Sequence, residues 1–518
     1  MIHDINRMDK IVVLDFGSQY SHLICRRLRE INVYCEILPY DIPLSGLKSI
    51  NPKGIILSGG PASIYSEKSP KPDSKIFDSG IPILGICYGH QLIVDHFGGK
   101  IKRTDRREYG RADLIIDNKQ DLFSNIDNEM IKCWMSHGDA AEVLPEEFKI
   151  LAHTLSSPSA AVGNNQKGFY GLQFHPEVVH TEKGMEILKN FSQIISKARP
   201  EWSMESFIEM SIANIRKVVG KEERVLCAVS GGIDSTTVAA LINKAIGDKL
   251  QCVFVNHGLL RKNEEQIVTD LFKSMGIKVI YVNADKQFLE KLKGVQDPEK
   301  KRLIIGEEFA NVFIKVAEKN GPFHWLAQGT LYPDVIESGV SKGPAAIIKT
   351  HHNVGGLPKW LNLKVIEPLN MLYKDEVRKT ARLLGVPHDL LIRHPFPGPG
   401  LAVRIIGEVT PEKLRISKHA SEIVETELQK ADLYDKIWQA FAIVGDDRAV
   451  GVIGDERIYG HIVIIRVVDS TDAMTADWTR LPPELIERIS NRITNEVENV
   501  AWVSYAVSSK PPATIEPQ

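Results

Sequence analysis

IPILGICYGHQLIVDHFG (81–98) begins as a strand and ends as a helix. Its opening IPIL is a short apolar run, while HQLIVDHFG carries apolar residues at helical spacing, and Gly85 and Gly89 bracket the turn between them. A buried strand feeding a helix through a tight turn is half of a βα unit. Strand-like runs recur upstream at IVVLDF (11–16) and GIILSGG (54–60), and again downstream at RVLCAVS (224–230) and QCVFVNHG (251–258), with amphipathic helix patterns between them. That alternation predicts an α/β protein with two domains built on largely parallel sheets. Between the two series, SKARPEWSMESFIEM (196–210) reads as a polar, helical stretch broken at Pro200, and a first boundary is expected there.

A third segment starts near RHPFPGPGLAVR (393–404), whose Pro and Gly density excludes regular structure. Beyond it come a helical pattern over 411–431, β-rich runs at WQAFAIV (438–444) and HIVIIRVV (461–468), a helix over 483–497 and a strand over 501–507, which make an α+β domain. The expected division is 9–200, 201–394 and 395–518. A length of 518 residues suggests about three domains at roughly 150 residues each.

Composition narrows the function. With 43% hydrophobic and 25% charged residues the chain is neither disordered nor fibrous. Lys plus Arg number 64 against 66 Asp plus Glu, a net charge of −2, where a dedicated nucleic-acid binder would be basic. The six cysteines are scattered without a C-x-x-C pair, which argues against zinc ribbons and secreted disulfide frameworks alike. No apolar run approaches the roughly 20 residues that span a bilayer, and the opening MIHDINRMDK lacks a signal-peptide stretch. A cytoplasmic protein with no membrane or nucleic-acid partner is expected.

Cys87 sits at the strand-to-helix turn, where flanking glycines push the sulfur out above the sheet as in a nucleophile elbow, and a helix N-terminus favours its thiolate. A packed core thiol has the same local pattern. The companion segment GLQFHPE (171–177) puts His175 and Glu177 on one face of an extended chain, so that a carboxylate orients the imidazole that serves as base. SGGP (58–61) supplies a glycine-rich turn with N–H groups for an oxyanion. Read singly, His175 is equally a structural histidine, and Gly59 and Gly60 a plain turn. In this order within about 200 residues, SGGP, GICYGHQ and QFHPE resemble a class I (triad-type) glutamine amidotransferase domain. The resemblance implies that Cys87 attacks the glutamine amide, that His175 and Glu177 complete the triad, and that the N–H groups of Gly60 and Tyr88 form the oxyanion hole. MSHGD (135–139), which also recurs in such domains, is expected as a loop near the domain interface.

The second site is SGGIDS (230–235), between a strand and the helix TTVAALINKAI. Small residues let N–H groups approach an anion, and Ser230, Ser235 and Thr236 offer hydroxyls. The Walker lysine is absent; an ordinary capped βα turn is the other reading. The motif resembles that of ATP pyrophosphatases, which implies that Ser230, Gly231, Gly232, Ile233, Asp234, Ser235 and Thr236 hold the pyrophosphate of ATP. By the same resemblance, VFVNHGLLRKNE (253–264) would provide backbone contacts to adenine and AQGTLYPD (327–334) would close the pocket on the far side. YPDVIES (332–338), IKTHHNVGGL (348–357), RHPFPGPGL (393–401) and KPPATIE (510–516) extend the resemblance to the glutamine-hydrolysing GMP synthase family over essentially the whole chain.

This implies that ATP with Mg²⁺ adenylates the 2-oxygen of xanthosine monophosphate (XMP), and that ammonia displaces AMP to leave GMP. It makes 334–357 a lid with Asp334, Glu337, Lys349 and His351 near the chemistry and Gly355 and Gly356 at a hinge. It places Arg302, Pro397, Gly398, Pro399, Lys510, Ile515 and Glu516 on XMP, and makes 395–518 a dimerisation domain, hence a homodimer. The Mg²⁺ ligands stay open. Two other readings are a synthetase with a silent first domain, opposed by the intact triad, and a transfer-RNA thiolating enzyme. The latter needs a basic surface and accessible cysteines, whereas Cys227 and Cys252 fall in strand-like runs.

Overall fold

The computed structural model describes residues 8–61, 63–65, 69–335, 363–453, 455–470 and 475–518. The chain forms two compact units, one reaching Met210 and the other beginning at Ser211.

The first unit is built on nine strands: β1 (Lys10–Asp15), β2 (Tyr34–Pro39), β3 (Gly54–Leu57), β4 (Ile83–Ile86), β5 (Lys100–Ile116), β6 (Met130–Val143), β7 (Lys149–His153), β8 (Ala161–Asn164) and β9 (Phe169–Leu172). Their order is β2-β1-β3-β4-β9-β8-β7-β5-β6. The five strands from β2 to β9 run parallel, and from β9 onward every pairing is antiparallel. The parallel half matches the expectation. Every residue of β3 and β4 is buried, as strands of a sheet covered on both faces must be. The antiparallel extension was not foreseen, because β5 (KIKRTDRREYGRADLII) is dominated by charged residues and lacks an apolar run. Val12, Leu14, Ile55, Leu57, Ile83 and Leu92 belong to one apolar core beneath the parallel strands.

The stretch 196–210 is helical only from Met204, where a helix runs on to Val218. Its first residues are held by packing instead: Trp202 is buried against Tyr34, ring centroids 4.8 Å apart, and the Arg29 guanidinium stands 5.2 Å over the indole.

The second unit carries a five-stranded, wholly parallel sheet of β10 (Val225–Ala228), β11 (Leu250–Asn256), β12 (Val279–Asn283), β13 (Trp325–Ala327) and β14 (Lys364–Ile366), in the order β12-β11-β10-β13-β14. After it come β15 (Gln439–Ile453), β16 (Glu456–Asp469), β17 (Asp477–Trp478) and β18 (Val500–Tyr505), where β16 pairs antiparallel with β15 and β17 but parallel with β18. The helices Pro411–Lys430 and Pro483–Glu496 lie within a residue of their expected ends. Thr410 caps the first, its side chain accepting from Lys413 N at 3.2 Å with Pro411 at the first helical position. One apolar core runs from Leu226 and Val253 of the parallel sheet through Leu401 and Ile416 to Val463 and Ile489 of the α+β part. RHPFPGPGLAVR is irregular through Pro399, as expected, but Gly400–Arg404 forms a short 3-10 helix in which every residue is buried.

Candidate functional site

In the first unit, Cys87 stands between β4 and the helix Tyr88–His96 with φ 53° and ψ −103°, a conformation that strains any residue with a Cβ. The turn is pinned by Cys87 N donating to Leu172 O at 2.7 Å. Both flanking glycines are required by close approach: a Cβ on Gly85 would lie 2.3 Å from the Gly89 carbonyl group, and one on Gly89 2.3 Å from Leu57 O. Cys87 is 7% exposed, and its thiol donates to Ser136 O at 3.7 Å.

His175 follows β9, its backbone N–H on Trp134 O at 3.0 Å and its carbonyl accepting from the Thr181 hydroxyl at 2.6 Å. Nδ1 meets Glu177 Oε1 at 2.7 Å, with both residues buried, so the carboxylate fixes the ring. Burial pulls the imidazolium's pKa down, but the charge of Glu177 and hydrogen bonds to Cys87 and Glu177 outweigh it and hold the pKa well above its ordinary value. The edge-on ring of Tyr20 stands 5.0 Å from that of His175.

The SGGP turn borders the same spot. A Cβ on Gly59 would come within 3.3 Å of His175 Cε1 and 3.7 Å of Cys87 Cβ, and one on Gly60 within 2.8 Å of Phe16 O. The Tyr88 N–H heads its helix and has no intrahelical partner. MSHGD is not a loop but part of β6, paired with β5; the Ser136 carbonyl accepts from the Cys87 thiol, and the Asp139 carbonyl accepts from Gln91 Nε2 at 3.0 Å.

In the second unit, SGGIDS links β10 to the helix Ile233–Ile246. Gly231 has φ 75°, and a Cβ there would lie 2.3 Å from Val268 Cγ2. Ser230 N donates to Ser235 Oγ at 3.2 Å and Ser235 Oγ donates to Gly232 O at 3.1 Å, so the loop's hydroxyls hold its shape. Asp234 Oδ2 pairs with Lys374 Nζ, while Asp234 Oδ1 is buried without a hydrogen-bond partner among the described residues. Lys374 was not singled out from sequence: it lies 140 residues downstream in KDEVRKTARL, with nothing local to mark it. AQGTLYPD packs on the loop, since a Cβ on Gly329 would sit 3.6 Å from Asp234 Cβ. Asp334 Oδ2 accepts from Leu331 N at 3.0 Å, closing that turn. Glu337, Lys349, His351, Gly355 and Gly356 lie outside the described residues.

The tail is ordered inward. Lys510 pairs its backbone with Ala476, N to O at 2.7 Å and O to N at 3.0 Å. Glu516 is gripped by Arg404, Nε to Oε2 and Nη2 to Oε1 both at 3.1 Å, and by Gln439 Nε2 at 2.7 Å. Arg466 donates to Thr514 O at 3.0 Å and to Ser508 O at 2.5 Å. Arg302 Nη2 donates to Gln518 O at 2.7 Å, and Ile515 is half-buried nearby in sequence. The Pro397-Gly398-Pro399 turn is closed by Gly400 N on Pro397 O at 2.9 Å and leaves Gly398 open, with nothing within 4 Å of an added Cβ. Cys227 and Cys252 are 1% and 0% exposed, which denies them a reactive role.

Residues 12–194 match the class-I glutamine amidotransferase family model, residues 207–310 that of NAD synthase, and residues 426–517 that of the GMP synthase C-terminal domain. The chain is 52% identical to the GMP synthase [glutamine-hydrolyzing] of Gloeothece citriformis over 99% of its own length and 95% of that protein. Against the protein of the same name from Carboxydothermus hydrogenoformans the identity is 53%, covering 98% and 99% of the two chains. Against that of Brachyspira hyodysenteriae it is 51%, covering 99% of each.

Proposed function

Since the chain belongs to the glutamine-hydrolysing GMP synthase family, we propose that its two sites work in series on glutamine, ATP and XMP. The observation that carries this reading is the Cys87 elbow beside the buried His175–Glu177 pair, in a chain whose other unit carries the SGGIDS turn.

The Cys87 thiolate attacks the side-chain amide carbon of glutamine. The N–H groups of Gly60 and Tyr88, neither of which donates to another group among the described residues, receive the oxyanion. The His175 imidazolium, charged because Glu177 stabilises it, protonates the departing ammonia; neutral His175 then takes a proton from water as the thioester hydrolyses to glutamate. In the second unit the N–H groups and hydroxyls of 230–236 hold the β- and γ-phosphates, which directs the 2-oxygen of XMP to the α-phosphorus. Pyrophosphate leaves, ammonia adds at C2, and AMP departs with that oxygen.

Mg²⁺ accompanies ATP in this chemistry. No three His, Cys, Asp or Glu converge among the described residues, which suits an ion held by one or two carboxylates and the substrate's phosphates. Asp234, with its unpartnered Oδ1, would supply the carboxylate, and the ion would neutralise charge on the leaving pyrophosphate. Arg302 and Lys510 meet the XMP phosphate, Pro397, Gly398, Pro399, Ile515 and Glu516 shape its pocket, and Asp334, Glu337, Lys349 and His351 belong to the lid.

We divide the chain into an amidotransferase domain over 9–200, an ATP pyrophosphatase domain over 201–394 and a dimerisation domain over 395–518. Support for a homodimer comes from the apolar residues that β15, β16 and β18 leave exposed: Val452, Tyr459 and Trp502 at 72%, 65% and 55%. The reactions belong to the cytoplasm, where these nucleotides are made; none of the described helices is long and apolar enough to cross a membrane. Incubation with XMP, ATP, Mg²⁺ and glutamine tests the reading: GMP, AMP, pyrophosphate and glutamate are expected in equal amounts, and ADP in place of AMP would overturn it.

A further inference from the structure

The helix Glu264–Ser274 opens on a carboxylate that is 3% exposed. Both oxygens of Glu264 are taken by one guanidinium, Arg393 Nη1 meeting Oε1 at 2.8 Å and Nη2 meeting Oε2 at 2.5 Å. A buried ion pair of this kind gains little stability over an apolar contact, because desolvation offsets the attraction. What it does provide is orientation, since a planar fork on a carboxylate fixes both distance and rotation.

The two ends of this pair lead to different substrates. On the Glu264 side stands the pyrophosphate loop, where a Cβ on Gly231 would be 3.4 Å from Glu264 Oε1. Ile233 of the same loop packs against the small core of Val386, Leu390 and Leu391, just ahead of Arg393. On the other side Arg393 begins the RHPFPGPG segment. Arg261 continues the grip there, donating to His394 O at 2.8 Å and Pro395 O at 3.3 Å and standing 4.6 Å over the Phe396 ring. Arg404 lies 5.0 Å over the same ring and holds Glu516 of the tail. Glu264 thus stands beside the pyrophosphate loop, and Arg393, which holds it, opens the segment that leads along the chain to the 397–399 turn.

We propose that Glu264 and Arg393 are positioning residues that lock the pyrophosphate loop to the XMP-binding turn, so that ATP in one tightens XMP in the other. The inference rests on the assignment of those two loops given above. Neither side chain touches a substrate; each acts by setting where the other's loop lies.

The test is the affinity of the full-length protein for XMP with and without α,β-methylene-ATP, which cannot release pyrophosphate, measured by titration calorimetry. The analogue is expected to tighten XMP at least about fivefold in the unsubstituted protein. In Arg393→Met and Glu264→Gln that factor falls to near one, while Cys87 in the separate first unit still reacts with a glutamine-like alkylating agent. Arg393→Lys, which keeps the charge but loses the fork, is expected to retain a reduced factor, and it carries the comparison if Arg393→Met does not fold. A purely packing role would lower the melting temperature and leave the factor unchanged; that result, or no coupling in the unsubstituted protein, overturns the proposal. A protein that binds neither XMP nor the analogue alone would instead overturn the assignment of the loops.

Discussion

Cys87 carries a positive φ with no glycine to relieve it, and the cost is borne because Gly85, Gly89 and the bond to Leu172 O leave the turn no other path. In the proposed reaction the strained residue is the one that attacks glutamine. Cys87→Ala is therefore expected to abolish GMP formation from glutamine yet spare it with ammonium salt; equal loss with both donors would count against two sites in series. His175 supplies a pH signature. Its pKa is raised in the fold, so the pair with Glu177 stabilises fully below about pH 6.5 and the contribution is lost as pH rises through the raised value. Glu177→Gln removes the carboxylate charge that opposes burial most strongly and so lowers that pKa, although the interaction with Cys87 remains. The substitution should lower glutaminase turnover by roughly 10²–10⁴-fold. The gap in melting temperature from the unsubstituted protein should be widest near about pH 6 and narrow on raising the pH; a gap that widens would show that the pair is not charged. These residues were legible because a triad repeats a local grammar of turn, strand and carboxylate. Lys374 was not, since its link to Asp234 is made only by the fold.

At the scale of elements, a strand announces itself when its burial is two-sided. β3, β4 and β11 are apolar runs and were read within a few residues of their ends, whereas β5 is charged along its length and was missed. The tail shows the opposite failure. KPPATIEPQ has the composition of a frayed end, but Arg404 and Arg466, 1% and 3% exposed, find their partners there. Deleting residues 510–518 would strand the Arg404 guanidinium and leave Arg466 only its bond to Ser508 O, and breaking one buried pair costs about 3–5 kcal/mol. Truncation after Ser509 is thus expected to lower the melting temperature of the second unit and raise the XMP requirement steeply, with glutamine binding unchanged. An unaltered KM for XMP would show that the tail only buttresses the fold.

At the scale of the whole molecule the chemistry of one unit is useful only if the other prepares its partner, and the preparation leaves an isotopic trace. The 2-oxygen of XMP is a poor leaving group until it is esterified. If the SGGIDS turn, whose shape Ser230 and Ser235 hold through each other and Gly232, grips the β- and γ-phosphates as proposed, the α-phosphorus is the position left for attack. Transfer from that position makes AMP the carrier of the activated oxygen, and pyrophosphate departs before ammonia arrives. Attack at the γ-phosphorus would instead give ADP and leave the oxygen in inorganic phosphate. XMP bearing ¹⁸O at its 2-position, incubated with ATP, Mg²⁺ and glutamine, should yield labelled AMP and unlabelled pyrophosphate by mass spectrometry. The same label distribution is expected when ammonium salt replaces glutamine in Cys87→Ala, because the oxygen is activated in the unit that does not contain the cysteine. Label in inorganic phosphate under either condition would mean that the SGGIDS turn does not direct the reaction to the α-phosphorus, whatever the first unit does.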